Sequence, residues 1–169
     1  MKKIGLLSDT HGYLDPTLAD HFSMCDEIWH AGDIGNLEVI RDLEQIKPLR
    51  AVYGNIDDRS IRSLFPEDLR FDVDGLDVFI THIGGYPGRY NKRVKTIMDN
   101  EPPKLFICGH SHILKVIYDQ KYQCLHMNPG ACGHHGFHKV RTALRFDIDE
   151  GKIKNLEAIE LGWRGRISS

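Results

Sequence analysis

The sequence has no apolar run long enough to cross a bilayer. Its longest such stretches, including Val78-Phe79-Ile80 and Leu105-Phe106-Ile107-Cys108, fall far short of the roughly 20 residues a spanning helix needs. Met1-Lys2-Lys3 resembles the start of an export signal. The apolar segment behind it, Ile4 to Leu7, stops at Ser8-Asp9, too short for a signal core of about 7–15 residues. A cytoplasmic protein without a membrane partner is expected. Excess positive charge is also missing: the formal net charge is −2, which gives no electrostatic basis for nonspecific nucleic-acid binding. Aromatic stacking runs are absent too, so no nucleic-acid partner is expected. Cysteine is sparse and unpatterned. Cys25, Cys108, Cys124 and Cys132 show no CxxC spacing, so disulfides are not expected, and Cys108 and Cys124 lie in apolar runs where a reduced thiol acts as a small hydrophobe. No internal repeat, low-complexity segment or interdomain linker breaks the chain, and a single domain over residues 1–169 is expected. A chain of 169 residues hides roughly 70% of its unfolded surface on folding, enough for a core without staples.

What the chain does have in quantity is histidine, ten in all. Histidine is the commonest protein ligand for metals and a frequent acid–base group, so the positions of these ten matter. The N-terminal half alternates strand and helix signals. Lys3–Ser8 reads as a strand, Pro16 to about Met24 as a helix opened by Asp15-Pro16, and Glu27–Ala31 as a second strand. Asn36 is placed to cap a helix over Leu37–Ile46, and Leu49–Tyr53 forms a third strand. Such a βαβαβ order predicts a parallel sheet with helices on its face. In the second half, Asp74-Gly75 between Leu69–Val73 and Leu76–Thr81 is a hairpin signal, and a helix is predicted from about Arg89 to Asn100, ending before Pro102-Pro103. Strands follow at Lys104–Cys108, Leu114–Tyr118, Gln123–Met127, Arg141–Ile148 and Ile153–Glu160.

Polar residues gather at the ends of five of these strands: Asp9 and His11, Asp33, Asn55, His82, and His110 with His112. Ligands of open α/β sheets bind outside the carboxyl ends of the strands, so residues far apart in sequence can converge there. In an extended chain, positions i and i+2 face the same side, so Asp9/His11 and His110/His112 would each present two groups to one pocket. Histidine nitrogens mixed with carboxylate oxygens suit zinc, manganese or iron better than magnesium or calcium, which favour all-oxygen shells. A carboxylate can bridge two ions, and two ions about 3.5–4 Å apart can activate water and clamp a phosphoryl group. Taken singly, a DxH pair, a Gly-Asp or Gly-Asn turn, or a strand-terminal histidine is commonplace. Their ordered placement after five strands is not.

Asp9-Thr10-His11-Gly12, Gly32-Asp33, Gly54-Asn55, Thr81-His82 and Gly109-His110-Ser111-His112 together resemble the motifs of the calcineurin-like metallophosphoesterases. The resemblance is to their small single-domain bacterial and archaeal phosphodiesterases, and Asn128-Pro129-Gly130 is similar to that branch as well. It implies a four-layer α/β/β/α sandwich with two facing mixed β-sheets, and a phosphoesterase of the phosphodiesterase type acting on a small phosphorylated substrate. It also implies two divalent metal ions, manganese first, with zinc, iron, nickel or magnesium as other occupants. Asp9, His11 and His112 would hold one ion and Asn55, His82 and His110 the other, with Asp33 bridging. Asp33, Asn55 and His82 would thereby serve catalysis through the water held between the metals.

One position departs from the family pattern. Many relatives carry a histidine directly after the Gly-Asn pair, where this chain has Ile56, so the general acid is unassigned and acidic leaving groups are favoured. Asn55 is a candidate for contacting substrate, and His134 and His135, within His134-His135-Gly136-Phe137-His138-Lys139, are the candidates for doing so in place of the missing histidine. Cys132 stands where relatives often have serine. His21, His30 and His126 match no motif and are expected to be structural. Arg89, Lys92 and Arg93 fit a solvated helix face better than a phosphate site. A homo-oligomer is possible. The rival reading is a metal-binding interaction scaffold like the retromer subunit that resembles this fold; with every ligand position filled, the sequence favours chemistry.

Overall fold

On the first strand Ile4 and Leu6 face one way and Gly5 and Leu7 the other, and this alternation sets up the layers of the molecule. In the computed structural model, which describes residues 1–165, the chain runs β1 (Lys2–Leu7), α1 (Leu18–His21), β2 (Glu27–His30), α2 (Leu37–Ile46), β3 (Leu49–Ala51), α3 (Arg59–Arg62), β4 (Asp68–Val73) and β5 (Leu76–Thr81). It continues through α4 (Lys92–Asn100), β6 (Leu105–Ile107), β7 (Leu114–Asp119), β8 (Cys124–Pro129), β9 (Val140–Asp149) and β10 (Lys152–Trp163). The last four residues of the expected 1–169 domain lie outside the described residues.

The strands form two five-stranded sheets, ordered β10-β9-β1-β2-β3 and β4-β5-β6-β8-β7. Both are mixed. β1, β2 and β3 run parallel, as do β5, β6 and β8, while β9 pairs with β1 and β7 pairs with β8 antiparallel. Ile4, Leu6, Trp29, Ala31, Val52 and Phe146 of the first sheet side meet Val78, Ile80, Leu105, Ile107 and Met127 of the second in an apolar central layer. Leu7, Ile28 and Ala51 face the other way, against Leu18, Phe22, Val39, Ile40 and Leu43 of the α1–α2 side. Phe79, Phe106 and Cys124 on the far face of the second sheet pack on Val94 and Met98 of α4. The expected α/β/β/α sandwich of two facing mixed sheets is what the chain forms.

Local chemistry explains most element ends. Asn36 Oδ1 accepts from Val39 N (3.0 Å) and starts α2 where predicted, with Val39, Ile40 and Leu43 on its buried stripe. Asp74 and Gly75 both adopt positive φ (48° and 85°) in the β4–β5 hairpin, the geometry of a primed two-residue turn. The helix predicted from Pro16 to Met24 is cut to a single turn. Asp15 spends its carboxylate on Thr17 N and Oγ1 and on Arg141 (2.6 Å), so it does not cap a longer helix. α4 begins at Lys92 rather than Arg89 because Asn91 caps it through Val94 N (2.9 Å) while its amide donates to Ile83 O (2.6 Å). α3, capped by Asp58 through Ile61 N, was not foreseen.

Candidate metal centre

Both sheets present the carboxyl ends of parallel strands to one place. The segments after β1, β2 and β3 carry Asp9/His11, Asp33 and Asn55; those after β5 and β6 carry His82 and His110/His112. The extended i, i+2 geometry expected for the two pairs is not what places them. Asp9, His11, Asp33, His110 and His112 all adopt left-handed backbone, with φ of 56°, 47°, 56°, 72° and 63°. Asp and His tolerate that region better than most residues, and the tight turns let each segment fold back over its strand end.

Two three-residue groups result: Asp9, His11 and His112, and Asp33, His82 and His110, each with ligand atoms within 4.8 Å of one another. Asp9 Oδ1 lies 3.1 Å from His112 Nε2 and 3.7 Å from His11 Nε2. Asp33 Oδ2 lies 3.1 Å from His82 Nε2 and 3.4 Å from His11 Nε2, between the groups. Asn55 Oδ1 is 3.0 Å from His110 Nδ1.

The surroundings orient these atoms. Asp9 Oδ2 accepts from Ser8 Oγ (2.6 Å) and His110 N (3.1 Å), and Asp33 Oδ1 accepts from Ile56 N (3.0 Å), so each carboxylate turns its other oxygen to the histidines. Gly54 and Gly109 permit the approach: a Cβ on Gly54 would sit 2.1 Å from Asp33 Oδ1, and one on Gly109 2.7 Å from Asp9 Oδ2. His82 Nδ1–H donates to Ala31 O (2.7 Å), leaving the Nε2 lone pair free. His82 Nε2 and His11 Nε2 are buried with no hydrogen-bond partner among the described residues, and buried nitrogens of that kind otherwise carry a desolvation cost. The donor set fits divalent ions that accept imidazole nitrogen with carboxylate oxygen.

Electrostatics agree. Burial raises the pKa of the Asp9 carboxyl, but the close approach of the His11 imidazole, the hydrogen bond with His112 and the fields of His82 and His112 outweigh it and hold Asp9 well below the ordinary range. Asp33 shows the same balance: burial raises it, and His82 and the Ile56 amide bring it down. Both carboxylates therefore stay charged. His30, fully buried, has its pKa pushed down to about 3 by desolvation. It accepts from Gly32 N at Nδ1 (3.0 Å) and so donates from Nε2 to Thr10 Oγ1 (3.0 Å), the structural role expected of it. Burial pushes the Cys108, Cys124 and Cys132 thiols up to about 12, which argues against a cysteine nucleophile.

The two histidine candidates for substrate contact separate. His135 is exposed and stacks on His11 (centroids 4.7 Å, 28°), whereas His134 packs on Tyr13 (4.2 Å) and bonds the Arg164 carbonyl. His138, from the same stretch, packs edge-on against His112 at 5.2 Å. Beside Asn55 and His82 opens a cleft of about 320 Å3, also lined by Tyr53, Arg62, Thr81 and Arg93. Arg93 pairs with Asp68 (2.5 Å) and bonds Thr81 Oγ1 (3.0 Å) at the wall of this cleft. Sequence reasoning missed Asp57. It is buried, and it accepts from Ile34 N (3.1 Å), Gly35 N (2.9 Å) and Gly54 N (2.8 Å), tying together the segments that carry Asp33 and Asn55. Only its place three residues after Gly54 and next to the Asp58 cap hinted at such a clamp.

A family model described as the calcineurin-like phosphoesterase superfamily domain matches residues 1–151. The chain belongs to that superfamily. Among its relatives, a probable metallophosphoesterase of Methanothermobacter thermautotrophicus is 27% identical over 114 residues, covering 64% of this chain and 66% of that protein. A phosphodiesterase of Methanocaldococcus jannaschii is 26% identical over 147 residues, covering 77% and 84%. These relatives support the small phosphodiesterase branch and a metal-dependent phosphoesterase family for this chain. Solved structures share the fold: an archaeal phosphodiesterase (TM-score 0.75, 23% identity, 94% of this chain and 99% of that one) and Vps29 from Entamoeba histolytica (0.73, 15%, 94% and 98%).

Proposed function

We propose that this protein is a dinuclear metal-dependent phosphodiesterase acting on a small phosphorylated molecule. The observation that carries the reading is the convergence of two His/Asp groups on shared space, with the buried Nε2 atoms of His11 and His82 lacking a hydrogen-bond partner among the described residues. Asp9, His11 and His112 would hold one ion, His82, His110 and Asn55 the other, and Asp33 would serve both. Divalent ions there would supply an activated water and positive charge against the phosphoryl oxygens; manganese is the first choice, with zinc, iron, nickel and magnesium as alternatives.

The chain's own residues do the rest. Asp9 and Asp33 remain ionised and fix the charge of the site. Ser8, the Ile56 amide and the Ala31 carbonyl hold the ligand atoms in orientation, which costs no reorganisation during reaction. Ile56, 46% exposed, brings no proton donor, so His135 stacked over His11 is the imidazole placed to meet phosphate or leaving group. The cleft beside Asn55 and His82 would take the substrate's second half.

The test is hydrolysis of bis-p-nitrophenyl phosphate by chelator-stripped protein as manganese is restored. Saturable, manganese-dependent nitrophenol release supports the reading. Folded protein that stays inactive with manganese, zinc, iron, nickel and magnesium returns the chain to an interaction scaffold that binds metal without turnover.

A further inference from the structure

The loop that carries His110 and His112 borders a second pocket, of about 170 Å3, that none of the candidate ligands lines. Tyr86, Ser111, Lys115, His126 and Asn128 are among its walls, and no carboxylate is. His126 sits on β8, is 1% exposed and stacks on Phe106 (5.6 Å). Its Nδ1 is buried without a hydrogen-bond partner among the described residues. Such a nitrogen in a tightly packed interior calls for a partner. A single water does not fill the space, since a water's share of liquid volume is about 30 Å3.

The donors in this pocket outnumber its acceptors. Lys115 forms no ion pair among the described residues, and its ammonium rests 4.4 Å from the Tyr86 ring centroid. Ser111 Oγ already accepts from Asn128 Nδ2 (3.1 Å) and Ile113 N (3.1 Å), so its own O–H is left to donate. Asn128 spends its amide on Gly109 O and Ser111 and its oxygen on Gly130 N. Burial, reinforced by Lys115, lowers the His126 pKa to about 4, so the ring is neutral and carries one N–H. An ammonium and a hydroxyl therefore line one small space beside the neutral His126 ring, with no carboxylate in its walls to receive them.

We propose that this pocket binds a small tetrahedral oxyanion of the size of phosphate, at a site separate from the candidate metal centre. Charge-assisted bonds from Lys115 anchor the anion, Ser111 donates to it, and the His126 ring in the pocket wall senses its charge. Because Ser111 lies between His110 and His112, the occupant touches the segment that carries both histidines.

The experiment titrates inorganic phosphate into the full chain and follows the His126 imidazole resonances by NMR, assigned by their absence in His126→Gln. A saturable shift of the His126 signal is expected. In Lys115→Met the apparent affinity should weaken about tenfold or more, the scale of a lost bond to a charged group, while Lys115→Arg should stay within a few-fold of the parent. Phosphate that moves only other imidazoles would be bound at the metal centre alone and would overturn the proposal. A Lys115→Met titration that overlays the parent's would overturn it as well.

Discussion

Asp57 offers the sharpest test of how the site is held. Its carboxylate receives three backbone N–H groups, Ile34 and Gly54 on Oδ2 and Gly35 on Oδ1, and the side chain is 4% exposed. Replacing Asp57 with alanine strands three donors in a buried turn. Each stranded donor costs about 1–3 kcal/mol. The costs are not additive within one network, so the loss of unfolding free energy should be about 3–5 kcal/mol. For a chain of this size that corresponds to a fall in Tm of roughly 6–20 °C. Asp57→Asn should lie between the two, because one oxygen can still serve Ile34 and Gly54 while the amide opposes the Gly35 N–H. Urea unfolding of chelator-treated protein measures the loss of stability, and manganese titration calorimetry measures the weaker metal binding expected because the clamp ties the segments carrying Asp33 and Asn55 together. If Asp57→Ala unfolds within about 1 kcal/mol of the parent and binds manganese equally well, the clamp argument is wrong.

Asp33→Asn should abolish manganese-dependent hydrolysis of bis-p-nitrophenyl phosphate while leaving the circular dichroism spectrum intact; a fully active variant removes the bridging role. Manganese at about 100 times its dissociation constant should stabilise the chain by about 2.7 kcal/mol per site, read as a rise in Tm that chelator reverses and that the Asp9→Ala variant diminishes. His135→Ala should slow esters with alkyl leaving groups far more than nitrophenyl esters, because only the former need a proton at departure; equal loss on both would make His135 a binding residue rather than a proton donor. His126 has a folded pKa of about 4 against an ordinary 6.5. The unfolded chain is protonated first, so the stability this ring contributes is full above pH 6.5 and is lost as pH falls toward 4, by at most about 3 kcal/mol. Urea midpoints across that window should fall less steeply in His126→Gln.

The metal-site candidates could be read from the sequence because strand ends are easy to recognise. The apolar run Val78–Ile80 gives way to Thr81-His82 and Leu105–Cys108 to Gly109-His110, and parallel sheets gather such ends at one edge. The cap at Asn36 and the Asp74-Gly75 turn were legible because each is chemistry within three residues. Other features depended on partners far away in sequence. Asp15 reads as a helix cap until Arg141, 126 residues on, takes its carboxylate. Asp57 acts through Ile34 and Gly35, and no local pattern shows that. The turned-back geometry of Asp9, His11, His110 and His112 was invisible too, since alternation in a strand says nothing about where the chain leaves left-handed. The partition between His134 and His135 was set by Tyr13 and the Arg164 carbonyl, which sequence adjacency does not reveal.

Five of the seven candidate ligand positions hold L-residues in left-handed backbone, a conformation that costs a side-chain-bearing residue about 1–2 kcal/mol. Glycine would relieve that cost at each of them while deleting the ligand. The architecture therefore makes loss of chemistry thermodynamically easy: a lineage no longer selected for turnover could shed these ligands and gain stability without disturbing either sheet. Retaining Asp and His at all five strained positions is what random drift toward a more stable chain would erase first.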